Sequence, residues 1–337
     1  MNISAVAARA QVSTATVSRV INGTAKVSPE TAERVREAIE TLDFYPDISA
    51  RTLGSGRSRL YGLIISDITN PYFPELVKAF EDIAVEHGQD VLIANTDYDP
   101  RRMKACVIRM LQRKVDGVAI MTSEMDDRLI QNFSHRQIPT VFMDTAKKLK
   151  DVSTVRVDYA AGVKLAMDHL FALGHERIAF ISGPLSLSSA QTRARAFTRA
   201  LRQHGHMGEP SLMQESDHRV EGGHAAMLRV LDAGRHPTAV LASNDLTAIG
   251  AMGAIHERGL RIPTDISVIG FDNIELSGYT QPALTTLHVP RREIAAAAFR
   301  SLFHGRDDLT GEPVPKREHV FQPKLLVRNS TAEAPKR

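Results

Sequence analysis

The chain has 337 residues, 43% of them hydrophobic and 24% charged, which is enough length and apolar content for more than one packed core. Its single cysteine, Cys106, excludes an internal disulfide and suits a reducing compartment. No apolar run reaches the roughly 18 residues of a membrane span, and the N-terminus lacks the basic and then apolar pattern of a signal peptide, so a cytoplasmic protein is expected. The formal net charge is +3, and residues 1–29 hold Arg9, Arg19 and Lys26 without one acid. A small basic head on a charge-balanced body hints at a polyanionic partner.

In chain order, NISAVAARAQVSTATVSRVING (2–23) predicts two short helices. Asn2 can cap the first, which carries an apolar stripe of Ile3, Val6, Ala7 and Ala10. Gln11-Val12 makes a tight link, and Ser13 can cap the second. There Val17, Val20 and Ile21 face inward while Thr14, Ala15, Ser18 and Arg19 face outward, and Asn22-Gly23 ends the helix. Ser28-Pro29-Glu30 starts a third helix, so that Val27, Val35, Ile39 and Leu42 close a three-helix core. Two short helices joined in this way form a helix-turn-helix, whose second helix enters the DNA major groove. A capping subdomain without a ligand would have the same pattern. DISARTLGSGRS (47–58) then predicts a short helix capped by Asp47 and ending near Leu53, with Gly54-Ser55-Gly56 freeing the chain. Leucine is one of the wedges that proteins insert between base steps in the minor groove. Alone, the segment reads first as a linker helix that packs Leu53 on the body.

The run from VSTATVSRVING to DISARTLGSGRS, followed by GLIISDITNPYFPEL, resembles the LacI/GalR family of bacterial transcription regulators over nearly the whole chain. The resemblance implies a headpiece in residues 1–45, a hinge helix and linker in 46–58, and a two-lobed effector-binding and dimerisation core in 59–330. It places base reading on Thr14, Ala15 and Arg19, phosphate contacts on Ser13, Thr16, Ser18 and Asn22, and minor-groove contacts on Ala50, Arg51 and Leu53. An arginine can grip guanine bidentately, and threonine or alanine offers a methyl group to thymine. Two positions depart from the family: Ala5 stands where an acid is usual and Asp47 where asparagine is frequent.

From Leu60 onward, short apolar strands alternate with amphipathic helices. LYGLIIS (60–66), DVLIAN (90–95), DGVAIM (116–121) and PTVFM (139–143) form one series. RIAFIS from Arg177, TAVLA (238–242) and DISVIG (265–270) form a second. The expected class is α/β, a small all-α headpiece followed by two Rossmann-like lobes of periplasmic-binding-protein type. Lobe 1 is expected over about 59–157 and 289–319, lobe 2 over about 158–288 and 320–330, with a polar tail over 331–337.

Such sheets bind ligands at the carboxyl ends of their strands. The strand-end candidates are Tyr72 and Phe73, Asp144, Arg193, Asn244 and Asp272, with His218 as a side-wall contact and Asp245 as a structural residue. Each has a plainer reading as a cap, turn residue or core plug. Their agreement with the family's effector positions selects them as contacts. Carboxylates, an arginine and an amide around an aromatic floor suit vicinal hydroxyls, so a sugar or sugar derivative is expected. The purine-binding branch of the family has an additional arginine where this chain has Leu187. No catalytic constellation, dinucleotide fingerprint, phosphate loop or metal-ligand spacing is present, so no enzyme activity, cofactor or metal is expected. The partners implied are operator DNA, a second copy of the chain and the effector, with no membrane. A periplasmic solute-binding protein would share the core but needs an export signal and lacks the headpiece.

Overall fold

Asn2, Ser13 and Ser28 each stand one residue before a helix, and each side-chain oxygen accepts a backbone N–H three residues on, from Ala5, Thr16 and Thr31 at 3.1, 3.1 and 3.3 Å. These caps start α1 (Ile3–Ala10), α2 (Thr14–Asn22) and α3 (Pro29–Thr41). Gln11 at φ 54° and Gly23 at φ 63° turn the chain out of α1 and α2 through left-handed backbone. Val6, Ala7, Ala10, Val17, Val35 and Ala38 form the core of this subdomain. The computed structural model describes residues 2–23, 27–45, 57–122, 132–143, 152–234, 236–303 and 318–336. The expected hinge helix, with Asp47, Ala50, Arg51 and Leu53, lies outside the described residues, as does Asp144.

Residues 1–59 and 60–337 form two compact units. The second unit contains two six-stranded sheets. In lobe 1 the order is β11-β5-β4-β3-β1-β2, all parallel, from β1 (Leu60–Ile65), β2 (Asp90–Asn95), β3 (Gly117–Met121), β4 (Thr140–Met143), β5 (Ser153–Val157) and β11 (Glu318–Phe321). In lobe 2 the order is β12-β10-β9-β8-β6-β7, from β6 (Ile178–Ser182), β7 (Met213–Glu215), β8 (Ala239–Ala242), β9 (Ser267–Asp272), β10 (Thr285–His288) and β12 (Lys324–Leu326). Among the described strands, β12 alone pairs antiparallel, against β10. The chain crosses between lobes after β5, after β10 and between β11 and β12. Strands β1, β3, β6 and β8 are continuous apolar runs because helices cover both sheet faces.

The helices that frame the cleft are α4 (Tyr72–Glu86), α5 (Pro100–Gln112) and α10 (Arg291–Phe303) in lobe 1, and α6 (Tyr159–Ala172), α7 (Ser188–Gln203), α8 (Val220–Asp232) and α9 (Asp245–Glu257) in lobe 2. Helices α8 and α9 cross so closely that a Cβ at Gly250 would sit 2.0 Å from the Val220 carbonyl oxygen.

One lobe boundary shifts, and the polar tail has a place in the fold. The change of lobe assigned after residue 319 falls inside a strand, since β11 keeps the chain in lobe 1 through Phe321. The polar tail from Thr331 is docked on lobe 2: the Ala334 N–H donates to Leu173 O at 2.8 Å, and Ala332 O meets His175 Nε2 at 3.0 Å. His175 is fully buried, and its second nitrogen lies 3.0 Å from the Thr238 hydroxyl. The tail therefore covers a buried polar group and satisfies it.

Candidate functional site

On the headpiece, Thr14, Ala15 and Arg19 lie exposed on one side of α2, opposite the buried Val17. The spacing i, i+1 and i+5 puts them within one face of a helix turning every 3.6 residues. Ser13 and Thr16 are tied together, hydroxyl to hydroxyl at 3.0 Å, as part of the cap. Ser18 is half-buried, and Asn22 is the last residue of α2.

In the core, a cavity of about 60 Å³ opens between the lobes at the carboxyl ends of the strands. The loop after β1 prepares its floor: Asp67 Oδ1 accepts from the Thr69 backbone and hydroxyl, and Asn70 Oδ1 accepts from Tyr72 N at 3.0 Å. These Asx bonds launch α4 with Tyr72 and Phe73 buried edge-to-face, ring centres 5.4 Å apart.

Across the cleft, Arg193 on α7 is 5% exposed, and its guanidinium carbon lies 3.9 Å from the Tyr159 ring centre and 4.9 Å from that of Phe271. Its Nε and Nη1 have no hydrogen-bond partner among the described residues. His218, at φ 66°, lays its ring over Gly183, where a Cβ would come within 1.8 Å of Nε2. Burial and then the nearby Arg193 charge push its pKa down to about 3, so the ring is neutral and its enclosed Nε2 lacks a described partner.

Asn244 lines the cavity, yet both ends of its amide have structural partners. Oδ1 accepts from Thr247 N at 2.9 Å, capping α9, and Nδ2 donates to His218 O at 3.0 Å. Asp272 ends β9 with φ 112°, backbone that a side chain rarely adopts, and its carbonyl is gripped by Arg291. Arg291 also donates to Asn273 O at 2.9 Å and pairs with Glu75 on α4 at 2.6 Å. The strained turn is thereby tied to lobe 1. Asp245 accepts from Ile274 N at 2.8 Å and from the Thr286 hydroxyl at 2.5 Å. Burial raises its pKa to about 7 against those two bonds and the charges of Arg328 and Arg291.

Tyr72, Phe73, Arg193, His218, Asn244 and Asp272 thus come together around one cavity. Tyr98, Thr122 and Tyr159 also line it and were not selected from the sequence. Tyr98 and Thr122 follow the apolar strands β2 and β3, so the strand-end rule reaches them, whereas Tyr159 follows β5, whose Ser153 and Thr154 hide it in the sequence. Leu187, 6% exposed, also faces the cavity.

Residues 2–47 match the pattern of bacterial regulatory proteins of the lacI family, and residues 167–331 match a periplasmic binding protein-like domain. The chain is 37% identical to the HTH-type transcriptional repressor PurR of Edwardsiella ictaluri, over 98% of this chain and 96% of that protein. It is similar to a lac repressor dimer solved bound to operator and the anti-inducer ONPF, at 30% identity and TM-score 0.87 over 98% of this chain and 99% of that one. It is also similar to a LacI family transcriptional regulator from Enterococcus faecium solved with bound ribose, at 29% identity and TM-score 0.73 over 81% of this chain and 99% of that one. With a helix-turn-helix at its front, a two-lobed cleft behind it in sequence and repressors matching it almost end to end, this chain belongs to the lacI family of bacterial regulatory proteins, which are DNA-binding transcriptional regulators and not enzymes.

Proposed function

We propose that the chain is a repressor of carbohydrate-utilisation genes that binds a palindromic operator as a homodimer and answers to a small sugar-like effector in its cleft. Thr14, Ala15 and Arg19 read bases, and Ser13, Thr16, Ser18 and Asn22 set the headpiece on phosphates. Ala50, Arg51 and Leu53 contact the minor groove. The solved operator-bound lac repressor dimer supports the DNA and dimer reading. The observation that carries the effector reading is Arg193, a buried guanidinium lying over the Tyr159 ring, with two donors that find no partner among the described residues. A ring with vicinal hydroxyls meets that need: its oxygens accept from Arg193 and its C–H face packs on Tyr72 and Phe73. Asp272 and Asp144 supply acceptors for the hydroxyl protons. The ribose-bound relative supports a sugar as the effector class.

A purine is the second reading, favoured by the flat face of Tyr159 beside Arg193 and by that of Tyr72 in the same cavity lining. Against it, Leu187 supplies an apolar wall at the place of the purine branch's additional arginine. Thermal melting against sugars, sugar acids, sugar phosphates and purines, repeated with Asp272→Ala, separates the two. A ligand at a hundred times its Kd adds about 2.7 kcal/mol of stability. A shift with one sugar, lost in the variant, supports the proposal, and a shift with a purine alone overturns the sugar.

A further inference from the structure

Helix α7 carries arginines on two opposite faces. Arg193 is buried and lines the effector cavity, whereas Arg195, Arg199 and Arg202 are exposed. At 3.6 residues per turn, Arg195 and Arg202 stand about 200° and about 180° round the helix from Arg193, so they face away from the cleft. The three follow one another at i, i+4 and i+7, which is one stripe along a helix. A shallow hollow of about 460 Å³ lies between this stripe and β7, the strand at the edge of the lobe 2 sheet. It is lined by Ala194, Arg195, Thr198, Arg199, Arg202 and Met213. That volume falls in the range of small-molecule sites, about 300–1,000 Å³.

The charges of the hollow are unanswered. The α7 sequence, SSAQTRARAFTRALRQ, holds four arginines and no acid. Like charges one turn apart repel, and elsewhere in the chain a helical cation is paired at i+4, as in Lys78–Asp82 and Lys164–Asp168. On α7 the side chains of Arg199 and Arg202 make no hydrogen bond or ion pair among the described residues, and Arg195 gives only its Nε, to Gln191 O at 3.3 Å. The acids beside β7 are engaged elsewhere: Glu209 pairs with Arg177 at 2.5 Å, and Glu215 accepts from Leu185 N at 2.8 Å. Between the arginines the surface is apolar. Ala194 and Met213 are half-buried, and the Thr198 hydroxyl spends its proton on Ala194 O at 3.1 Å.

A guanidinium is a planar fork that matches phosphoryl oxygens two at a time, which a lysine ammonium does not. The three forks are spread over about 10 Å of helix axis, more than one phosphoryl group spans. The apolar strip between them calls for carbon rather than a second shell of charge. We propose that this hollow is a second ligand site, which takes a small organic molecule carrying two phosphoryl groups on the face of α7 turned away from the cleft. The ligand's charge relieves the repulsion along the arginine stripe, and its carbon skeleton lies on Ala194 and Met213. This site stands whatever fills the cleft.

Calorimetry on the full chain at constant ionic strength tests it, with 2,3-bisphosphoglycerate as the probe beside 3-phosphoglycerate and inorganic phosphate. The bisphosphate is expected to bind at least about tenfold tighter than either single-phosphoryl compound, the worth of one charge-assisted hydrogen bond. Arg199→Gln and Arg202→Gln together, both at exposed positions, are expected to abolish that binding. The melting temperature of this double variant without ligand is expected to equal or exceed that of the parent, and its operator affinity to be unchanged. Asp272→Ala, in the cleft, is expected to bind the bisphosphate as the parent does. A bisphosphate that does not bind, or that binds the double variant equally well, overturns the site. Binding lost in Asp272→Ala overturns it too, by placing the anion in the cleft. A DNA duplex without operator that is weakened by the double substitution, while no bisphosphate binds, would make the stripe a nucleic-acid surface instead.

Discussion

Arg193 and Tyr159 face each other across 3.9 Å, guanidinium carbon to ring centre, and Nε and Nη1 of the arginine find no partner among the described residues. A buried donor left unbonded costs about 1–3 kcal/mol. A cation over an aromatic face returns about 0.5–2 kcal/mol. The site is thus held in a state that a ligand oxygen relieves. Arg193→Met keeps an unbranched apolar stem and removes the orphaned donors. Its melting temperature without ligand is expected to equal or exceed that of the parent, while the effector-induced shift disappears. A variant that melts several degrees lower would show that Arg193 serves the fold first.

His218 gives the chain an acid limb. Its folded pKa is about 3, below the ordinary 6.5, because burial and the Arg193 charge disfavour the proton. Between those values the unfolded chain binds a proton that the folded chain refuses. The contribution is complete above about pH 6.5 and is lost as pH falls toward 3. Asp245 acts in the opposite direction: its folded pKa of about 7 exceeds the ordinary 3.8, so its protonated form favours the fold as pH falls from 7 toward 3.8. The comparison of His218→Phe with the parent isolates the histidine. Urea unfolding at pH 7.5 and 5 is expected to show a smaller acid loss in the variant, and equal losses would remove the buried neutral ring from the account.

Legibility in the sequence followed the chemistry of burial. Strands β1, β3, β6 and β8 were readable because their residues are apolar on both faces. Strands β5 and β10 were not, since Ser153, Thr154, Thr285 and Thr286 look polar and are nonetheless buried. Inside, such hydroxyls find partners, as Thr286 does with Asp245. Tyr159 was missed along with β5. Arg193, Tyr72, Phe73 and Asp272 were legible through the family's motifs and strand ends. The Asn244 cap on Thr247 N was legible as its plainer reading, but the bond from its Nδ2 to His218 O was not, because it depends on a left-handed residue, His218, brought close by the loop after β7. No local pattern encodes that approach.

Gly250 tests how tightly lobe 2 is built. A Cβ there would meet Val220 O at 2.0 Å and His224 N at 2.7 Å, both backbone atoms that cannot rotate away. Gly223, its counterpart on α8, faces the Thr247 carbonyl oxygen at 2.4 Å. Overpacking of a core commonly costs about 1–3 kcal/mol, and backbone contacts fall at the upper end. Gly250→Ala is expected to lower the melting temperature and to weaken effector binding only through that loss. An unchanged melt would mean that the two helices separate freely.

The headpiece offers the sharpest separation between reading and holding. Arg19 is exposed on α2, so its removal leaves the Val6, Val17 and Val35 core intact. If it grips a base edge, Arg19→Ala costs about 1–3 kcal/mol at one operator position and relaxes discrimination there, while other positions keep theirs. Ser13→Ala acts differently. It removes the oxygen that accepts from Thr16 N at 3.1 Å, and a lost cap costs about 0.5–2 kcal/mol of helix stability. Its effect is expected to be uniform across operator sequences and visible in the headpiece melt. Binding measured at two salt concentrations against a panel of single-base operator variants distinguishes these outcomes. Uniform weakening by Arg19→Ala, with a shallower salt dependence, would reassign the arginine to a phosphate and leave Thr14 and Ala15 as the base readers.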